Sequence, residues 1–456
     1  MTLELEFHGG AGTVTGSKTL LRHRGRAVLV DCGLFQGLKR LRERNWKPLP
    51  FNASELAAVV LTHAHLDHSG ALPLLVRSGF RGPIYCTPAT QALLAILLRD
   101  SARLQEEEAQ YANRHGYSKH TPALPLYTEA DADRALQQVQ PVPWSIAVTL
   151  GPSLTATLSP AGHLLGAASV SIDSPEGRVL FSGDLGRPDD LLMRPPAAAT
   201  AADWVVIEST YGDRRHPLID AEQELTRALQ RGLAREGVIV IPAFAVGRAQ
   251  SMLLLLSRVK ARGLIPDVPV YLDSPMATDV TRIYHAHRTE HRLSPEECRS
   301  MCTAAVYVNS VEESKRIDAR QGPMIIVSAS GMATGGRVVH HLKAFAPDAR
   351  NMILFGGFQA AGTRGASLVG GAESIKIHGE WIPVRAEVVQ LKSASGHADA
   401  GQLVSWLAAQ PVRPRRVFVN HGEPVAAEAL RQDLRRAGFA DVSVPELGET
   451  ITLGGA

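Results

Sequence analysis

The segment VVLTHAHLDHSGAL, from Val59 to Leu72, concentrates the metal-binding residue types of this chain. Its apolar run predicts a β-strand, and the alternation of side chains along a strand places His63 and His65 on one face at its end. The turn that follows carries Asp67 and His68. Four ligands within six residues are too many for one tetrahedral ion, so the motif predicts two metal ions side by side. A purely structural role is disfavoured, because these polar groups would otherwise lie unpaired.

Three further residues carry metal-binding side chains and either follow apolar runs or lie in glycine-bounded turns. They are His163 in SPAGHLLGA, Asp184 in VLFSGDLG and His421 in RVFVNHGEP. Each of them, taken alone, could equally cap a turn. Together with the first motif, they are candidates for the additional ligands that a two-metal site requires.

The secondary-structure pattern changes along the chain. In the N-terminal part, short apolar runs end at Gly, Pro, Asn or Asp and predict strands, interrupted by one helix over Thr90–His115. From about Asp203 to Gly357, continuous apolar strands alternate with amphipathic helices, which predicts a parallel sheet covered on both faces. The last segment returns to strands with two helices. We therefore expect an outer α/β domain, residues 1–200 and 371–456, with a second α/β domain inserted at residues 201–370.

With these motifs, the chain resembles the metallo-β-lactamase superfamily over nearly all of its length. The resemblance implies an αββα sandwich fold and two zinc ions per chain. It also implies that Asp31, which ends the run RAVLVDCG, orients one of the metal ligands. The ligands implied for one zinc are His63, His65 and His163, those for the other are Asp67, His68 and His421, and Asp184 bridges both.

The predicted inserted domain indicates which family within the superfamily the chain resembles. Glu208 in VVIESTYGD, His397 in LKSASGHADA and His421 look like the three additional motifs of the β-CASP nucleases. The segments AFAVGRAQ, LDSPMA and SASGMATGGRVVHHL are similar to those of RNA-processing members, which include the cleavage endonuclease of messenger 3′-end formation and its prokaryotic relatives. DNA-processing members usually carry an aliphatic residue in place of His421, so the resemblance favours RNA. The chain looks like the minimal prokaryotic form of these RNA-processing enzymes.

The resemblance implies a zinc-dependent endoribonuclease that hydrolyses RNA phosphodiester bonds to 3′-hydroxyl and 5′-phosphate ends, with 5′-to-3′ exonucleolytic action left open. We expect His397, oriented by Glu208, to protonate the departing 3′ oxygen, and Asp67 to accept a proton of the attacking water. Two alternatives stay open: a small-molecule metallohydrolase of the same superfamily and a catalytically silent RNA-binding scaffold. The complete ligand set argues against the scaffold, and the long insertion argues against the small-molecule enzyme.

Glycine-rich and arginine-containing segments of the insertion are candidates for binding RNA phosphates. SASGMATGG lies between a predicted strand and a predicted helix, where free backbone N–H groups can bind an anion. A tight turn with a helix cap is an equally good interpretation of this segment. For each arginine, a solvated position on the surface is an equally good interpretation. The candidate phosphate-binding residues are Arg248, Ser328, Ser330, Gly331, Thr334, Gly335 and Arg337.

Composition limits where partners bind. Lys and Arg total 48 against 45 Asp and Glu, and a net charge of +3 is too small for non-specific binding of RNA over the whole surface. Single-stranded RNA is therefore expected at a local site.

The longest apolar runs are shorter than the roughly 18 residues of a membrane helix. The first residues lack a signal-peptide pattern. We expect a cytoplasmic protein without a membrane partner, and the sequence leaves a homodimer open.

The four cysteines, Cys32, Cys86, Cys298 and Cys302, do not form a recognised motif. The only close pair is spaced C-x3-C, unlike a zinc knuckle or a redox C-x-x-C. Because free cysteine is commonly a core residue, we predict buried, neutral thiols.

Overall fold

The structure of the protein is a computed structural model that describes residues 3–116, 118–357, 359–393 and 395–454. The chain forms two compact units. The first comprises Met1–Asp190, Pro195–Arg215 and His397–Ala456, and the second comprises Leu191–Arg194 and His216–Gly396. The second unit is therefore inserted into the sequence of the first.

The N-terminal part of the first unit contains most of its strands. These are β1 (Leu3–Phe7), β2 (Thr19–His23), β3 (Arg26–Val30), β4 (Leu56–Val60), β5 (Ile84–Cys86), β6 (Val139–Pro141), β7 (Val148–Gly151), β8 (Leu154–Pro160), β9 (Ala168–Ser174), β10 (Gly177–Phe181) and β11 (Trp204–Ile207). The helices of this part are α1 (Lys39–Arg42), α2 (Leu66–Ser69), α3 (Leu72–Arg77), α4 (Pro88–His115) and α5 (Glu129–Leu136), with 3-10 turns at Glu43–Trp46 and Ala53–Glu55.

The second unit alternates strands and helices. Its strands are β12 (Val238–Pro242), β13 (Val270–Asp273), β14 (Val306–Tyr307), β15 (Met324–Ser328), β16 (Met352–Phe355), β17 (Ser374–Ile377), β18 (Glu380–Pro383) and β19 (Glu387–Gln390). Its helices are α6 (Ala221–Leu233), α7 (Arg248–Ala261), α8 (Pro275–Ala286), α9 (Pro295–Thr303), α10 (Val311–Asp318), α11 (Val338–Phe345) and α12 (Arg364–Val369). The chain then returns to the first unit through α13 (Ala400–Ala408), β20 (Arg416–Val419), α14 (Pro424–Arg436), β21 (Val442–Ser443) and β22 (Thr450–Leu453).

Two seven-stranded sheets face each other in the first unit, in the orders β22-β1-β2-β3-β4-β5-β6 and β21-β20-β11-β10-β9-β8-β7. Their strands alternate, as in β1, where Leu3, Leu5 and Phe7 are fully buried while the two glutamates between them are not. One hydrophobic core contains side chains from both sheets, and the rings of Phe7 and Phe418 lie 5.7 Å apart within it. Helices packed beside each sheet complete the predicted sandwich, and the α/β fold class is confirmed.

The second unit is built on a six-stranded sheet of order β14-β13-β15-β12-β16-β19, in which every described neighbouring pair is parallel. All residues of its central strands β12 and β15 are buried. This is the pattern expected of a parallel sheet with helices on both faces. The continuous apolar runs of the sequence predicted this arrangement.

The compact units begin and end at residues different from the expected boundaries at 200/201 and 370/371. β11 pairs with β10 and β20 in the first unit, so that unit continues to Arg215 before the insertion begins. β19 pairs with β16, so the second unit continues to Gly396. A short apolar strand has the same sequence pattern in either sheet, so the pattern does not indicate which sheet it joins.

Within the described ranges, no helix combines the length and the apolar character needed to cross a membrane.

Candidate metal centre

The segment with the clustered histidines adopts a different local structure from the expected strand end. β4 ends at Val60, so His63 and His65 lie in the loop after it rather than on the strand. His65 is the residue before α2, and Asp67 and His68 lie within that short helix. Alternation along a strand is therefore not what brings the two histidines together; the turn from β4 into α2 does so.

Four of the remaining candidates, Asp31, Asp184, Glu208 and His421, lie just beyond the carboxyl ends of strands with a parallel neighbour. Asp31 follows β3, which is parallel to β4. Asp184 follows β10, Glu208 follows β11 and His421 follows β20, and β11 lies between the other two strands and is parallel to both. Parallel strands present their carboxyl ends at one edge of a sheet, which explains why residues far apart in sequence meet here.

The first group of side chains contains His63, His65 and His163. His63 Nε2 lies 3.2 Å from His65 Nδ1, and His163 Nε2 lies 3.3 Å from the same atom. One carboxylate oxygen of Asp184, Oδ2, lies 3.6 Å from His63 Nε2 and 3.8 Å from His163 Nε2. Three imidazole nitrogens and one carboxylate oxygen thus converge on one point.

The second group contains His68, His421 and Asp67. His68 Nε2 and His421 Nε2 are 3.1 Å apart, and Asp67 Oδ2 is 3.9 Å from His421 Nε2. The other oxygen of Asp184, Oδ1, lies 3.3 Å from His68 Nε2. The two oxygens of Asp184 therefore face different groups, as expected of a carboxylate shared by two ions.

The spacing of these atoms fits metal ligation. Two nitrogens bound at 2.0–2.1 Å to one tetrahedral zinc lie about 3.3–3.4 Å apart, and the observed nitrogen–nitrogen distances are 3.1–3.3 Å. Asp184 Oδ1 is buried and lies 3.3 Å from His68 Nε2 and 3.3 Å from His421 Nδ1. A buried carboxylate among ring nitrogens is favourable only when protons or cations compensate its charge. The residues present therefore fit a pair of metal ions.

Burial and charge set the protonation of the histidines. Burial lowers the pKa of His65 to about 4, and burial, reinforced by the neighbouring His68, lowers the pKa of His63 well below its usual value. Neutral imidazole is the form that binds metal. Burial also opposes charge on His68, but the carboxylates of Asp184 and Asp31 outweigh it and raise its pKa well above the usual value. A metal ion that binds Nε2 of His68 would have to displace the proton that this nitrogen carries.

Asp31 orients His68 through its other ring nitrogen. Oδ2 of Asp31 lies 2.7 Å from His68 Nδ1, while the backbone N–H of Thr62 donates to Oδ1 at 2.8 Å. Asp31 has a φ of 62°, in the left-handed region that residues other than glycine and asparagine rarely adopt. This contact fixes the ring with Nε2 toward the metal group.

We expect Asp31→Asn to weaken metal binding by the second group about 10- to 100-fold, the usual effect of removing a carboxylate that orients a ligand. Asparagine tolerates the left-handed backbone, so the loss should come from the missing charge and not from misfolding. Metal titration of the variant against Asp173→Asn, a carboxylate that instead pairs with Arg178, measures the effect. Unchanged affinity would show that Asp31 does not orient the ligand.

His397 and Glu208 form a pair beside the two groups. His397 Nδ1 lies 3.4 Å from Glu208 Oε2 and 4.0 Å from Asp184 Oδ2. The side chain of Glu208 is 1% exposed and accepts backbone N–H bonds from Leu185 and Thr210, whereas that of His397 is 21% exposed. Burial disfavours charge on His397, but the nearby Glu208 carboxylate, with Asp184, raises its pKa. The imidazole of His397 is therefore partly accessible to solvent, and its surroundings favour the protonated form.

Two threonines take part in the centre although sequence analysis did not identify them. Thr62 Oγ1 lies 2.9 Å from Asp31 Oδ2 and 3.0 Å from His63 Nδ1. Thr210 Oγ1 lies 3.3 Å from His421 Nδ1. Thr62 precedes the ligand His63, and Thr210 follows Glu208 by two residues. A hydroxyl near a site residue in sequence is too common to be a signal by itself, so the roles of both threonines follow from the structure alone.

The candidate phosphate-binding residues all lie in the second unit. Ser328 is the last residue of β15 and its hydroxyl donates to the carbonyl of Asp273. Arg337 pairs with the Asp273 carboxylate at 2.6 Å and donates to two backbone carbonyls, so much of its guanidinium is engaged within the protein.

The glycine-rich loop itself is more open. The Ser330 hydroxyl accepts from the Thr334 backbone N–H, and a side chain added at Gly335 would meet nothing within 4 Å. At Gly331 an added side chain would approach the Phe244 backbone nitrogen to 2.7 Å, so glycine is required there. Arg248 begins α7. Binding of RNA phosphate by these residues stays a prediction.

Comparisons with known proteins agree with this fold and site. The chain matches the family models of the Metallo-beta-lactamase superfamily over residues 11–230, the Beta-Casp domain over 249–368 and the Zn-dependent metallo-hydrolase RNA specificity domain over 381–445. It is 37% identical to Ribonuclease TTHA0252 of Thermus thermophilus, over 97% of this chain and 98% of that protein. It is 32% identical to Transcription termination factor FttA of Methanosarcina mazei, over 92% of this chain and 67% of that protein.

A solved structure shares the fold. The crystal structure of a protein of unknown function from Enterococcus faecalis V583 aligns with a TM-score of 0.55 over 99% of this chain and all of that chain, at 14% identity. Fold, site and comparisons together define a metal-dependent hydrolase of the metallo-β-lactamase type. Within that superfamily, the chain belongs to the β-CASP ribonuclease family.

Proposed function

We propose that the protein is a zinc-dependent ribonuclease that cleaves single-stranded RNA internally and leaves 3′-hydroxyl and 5′-phosphate ends. The observation that carries the proposal is the position of Asp184, whose two oxygens face separate groups of metal-binding side chains. The similarity to a ribonuclease and the match to an RNA specificity domain support RNA as the substrate.

Each zinc would be held by one of the two groups. When bound, the two ions would supply a water activated at neutral pH and positive charge for the phosphoryl oxygens. The protein's own side chains would carry out all the other steps. The assigned ligands are His63, His65 and His163 for one ion, Asp67, His68 and His421 for the other, and Asp184 for both.

The protein must also move two protons. The attacking water would lose one proton to the carboxylate of Asp67, which belongs to the second group and lies 3.9 Å from His421 Nε2. The bond between phosphorus and the 3′ oxygen then breaks, and that oxygen needs a proton. His397, whose Nδ1 lies 3.4 Å from Glu208 Oε2, would donate that proton to the departing oxygen. The products are a 3′-hydroxyl and a 5′-phosphate.

A substrate panel tests the proposal. The purified protein is incubated with end-labelled single-stranded RNA, single-stranded DNA of the same sequence and a chromogenic lactam, with and without a chelator. The proposal requires RNA cleavage that the chelator abolishes, and elemental analysis should find about two more zinc ions per chain in the wild type than in Asp184→Ala. Lactam hydrolysis alone would indicate a small-molecule metallohydrolase, and chelator-insensitive RNA binding without cleavage would indicate a silent scaffold.

We expect cleavage of single-stranded RNA to exceed that of the DNA of the same sequence, because His421 and the inserted domain resemble RNA-processing relatives. Since the net charge is only +3, binding should depend on a few phosphate contacts. The logarithm of the binding constant should fall by about 0.7 for each neutralised phosphate per tenfold rise in salt. Equal cleavage of both polymers would contradict the RNA preference, and binding independent of salt would contradict a phosphate-binding surface.

A further inference from the structure

A second cluster of metal-binding side chains lies in the second unit, apart from the residues assigned above. Cys298 and Cys302 are four residues apart on α9, so both side chains project from the same face of that helix. His285, in the last turn of α8, places its Nδ1 3.7 Å from the Sγ of Cys298. The two sulfur atoms and a ring nitrogen all lie within 4.8 Å of one another.

The geometry of this cluster matches ligands of one ion. A thiolate at about 2.3 Å and an imidazole at about 2.0–2.1 Å from a tetrahedral zinc lie about 3.6 Å from each other, close to the observed 3.7 Å. Cys298 is within hydrogen-bonding distance of His285 and also hydrogen-bonds to Cys302. Because thiols are weak donors, a bound cation would stabilise this arrangement more strongly than these hydrogen bonds do. Sulfur with imidazole selects zinc over magnesium or calcium.

The other two cysteines provide a contrast. Cys32 and Cys86 are fully buried in the first unit, and neither belongs to a metal-binding group among the residues that the structure describes. They match the predicted buried, neutral thiols. Cys298 is similarly buried, but Cys302 is only half-buried and His285 is exposed, so a cation can reach this cluster from solvent.

The local electrostatics allow thiolate formation at a cost. Burial raises the pKa of Cys302 to about 11. Burial also raises the pKa of Cys298, although its hydrogen bond with Cys302 and the charges of Arg288 and Arg299 oppose that rise. The thiols are therefore protonated in the absence of metal, and a cation must displace their protons to bind. Zinc does this at sites formed by two cysteines and one histidine with a water in the fourth position.

We propose that His285, Cys298 and Cys302 bind one Zn²⁺ ion, with a water molecule in the fourth position. The ion would join the end of α8 to α9 and so restrict the relative motion of the two helices in the second unit. This site is independent of the proposed ribonuclease activity, since it shares no residue with the groups around Asp184.

Cobalt provides a selective probe for this site. Protein stripped of metal, with its thiols reduced, is titrated with Co²⁺ alone. Thiolate bound to cobalt gives a near-ultraviolet charge-transfer band, whereas the groups around Asp184 contain only nitrogen and oxygen ligands and give none. The wild type should show this band and bind one more Co²⁺ per chain than Cys302→Ser, in which the band should be lost.

Three variants make the result decisive. His285→Ala changes an exposed residue, so it should fold and lose the band even if a cysteine variant does not fold. His287→Ala is the matched control, because that nearby ring faces Glu290 at 3.2 Å and should leave the band unchanged. Asp184→Ala should also keep the band, which separates this site from the ribonuclease centre. No band in the reduced wild type, or a band that persists in His285→Ala and Cys302→Ser, would overturn the proposal.

Discussion

Replacing Asp184 with alanine is expected to remove metal from both ligand groups and to abolish RNA cleavage. The reason is geometric, since one oxygen of Asp184 faces His63 and His163 while the other faces His68. The variant also removes the carboxylate charge that these imidazoles surround. The loss of cleavage should exceed the roughly 10- to 100-fold cost of removing a residue that only orients a ligand.

The matched comparison is His163→Ala, which changes a ligand of one group only. That variant should lose metal first from the group with His63 and His65 and keep the other ion at higher metal concentrations. Elemental analysis gives the metal content, and far-ultraviolet circular dichroism checks that both variants are folded. Wild-type metal content in Asp184→Ala would show that the residue does not bridge two ions.

The parts of the structure that could be predicted are those with a local sequence signal. The helix predicted over Thr90–His115 is α4, which begins two residues earlier because Thr87 accepts the backbone N–H of Thr90 and Pro88 occupies the first turn. It ends where Gly116 adopts a φ of 64°. The parallel sheet of the second unit was predictable because its central strands are apolar at every position.

Features that depend on contacts between distant residues could not be predicted. The pairing of Arg337 with Asp273 joins residues 64 positions apart, so no spacing rule indicates that the predicted phosphate-binding arginine is engaged inside the protein. The proximity of His285 to Cys298 and Cys302 could not be predicted for the same reason, because His285 lies on another helix. The left-handed backbone of Asp31 and His421 could not be predicted either, because neither residue type requires it.

His397→Ala is expected to keep both metal ions and to bind RNA, yet to lose cleavage by roughly 10²- to 10⁴-fold, the usual contribution of a general acid. The imidazole lies beside the ligand groups, and its Nδ1 is closer to Glu208 Oε2, at 3.4 Å, than to the bridging Asp184 carboxylate, at 4.0 Å. His120→Ala, an exposed histidine of the same unit, is the matched control. Measured metal content, RNA affinity and single-turnover cleavage separate the two roles that His397 could have.

A substrate with sulfur in place of the bridging 3′ oxygen tests the acid directly. A thiolate leaves without a proton, so this substrate should restore cleavage by His397→Ala to near the wild-type rate on the same substrate. Loss of zinc from the variant would instead place His397 among the metal ligands. Absence of rescue, while the wild type still cleaves the substrate, would show that His397 contacts the phosphate or has another role.

Glu208→Gln tests how the protein keeps this acid protonated. The Glu208 carboxylate raises the pKa of His397 against the effect of burial. An imidazolium acid is present below its pKa and is lost as the pH rises through that value, so cleavage should decline on the alkaline side. The amide of glutamine carries no charge, so the pKa of His397 should fall and the decline should begin at lower pH in the variant. The variant should also be slower than wild type at neutral pH on ordinary RNA but not on the 3′-sulfur substrate, because only the ordinary leaving group needs the proton.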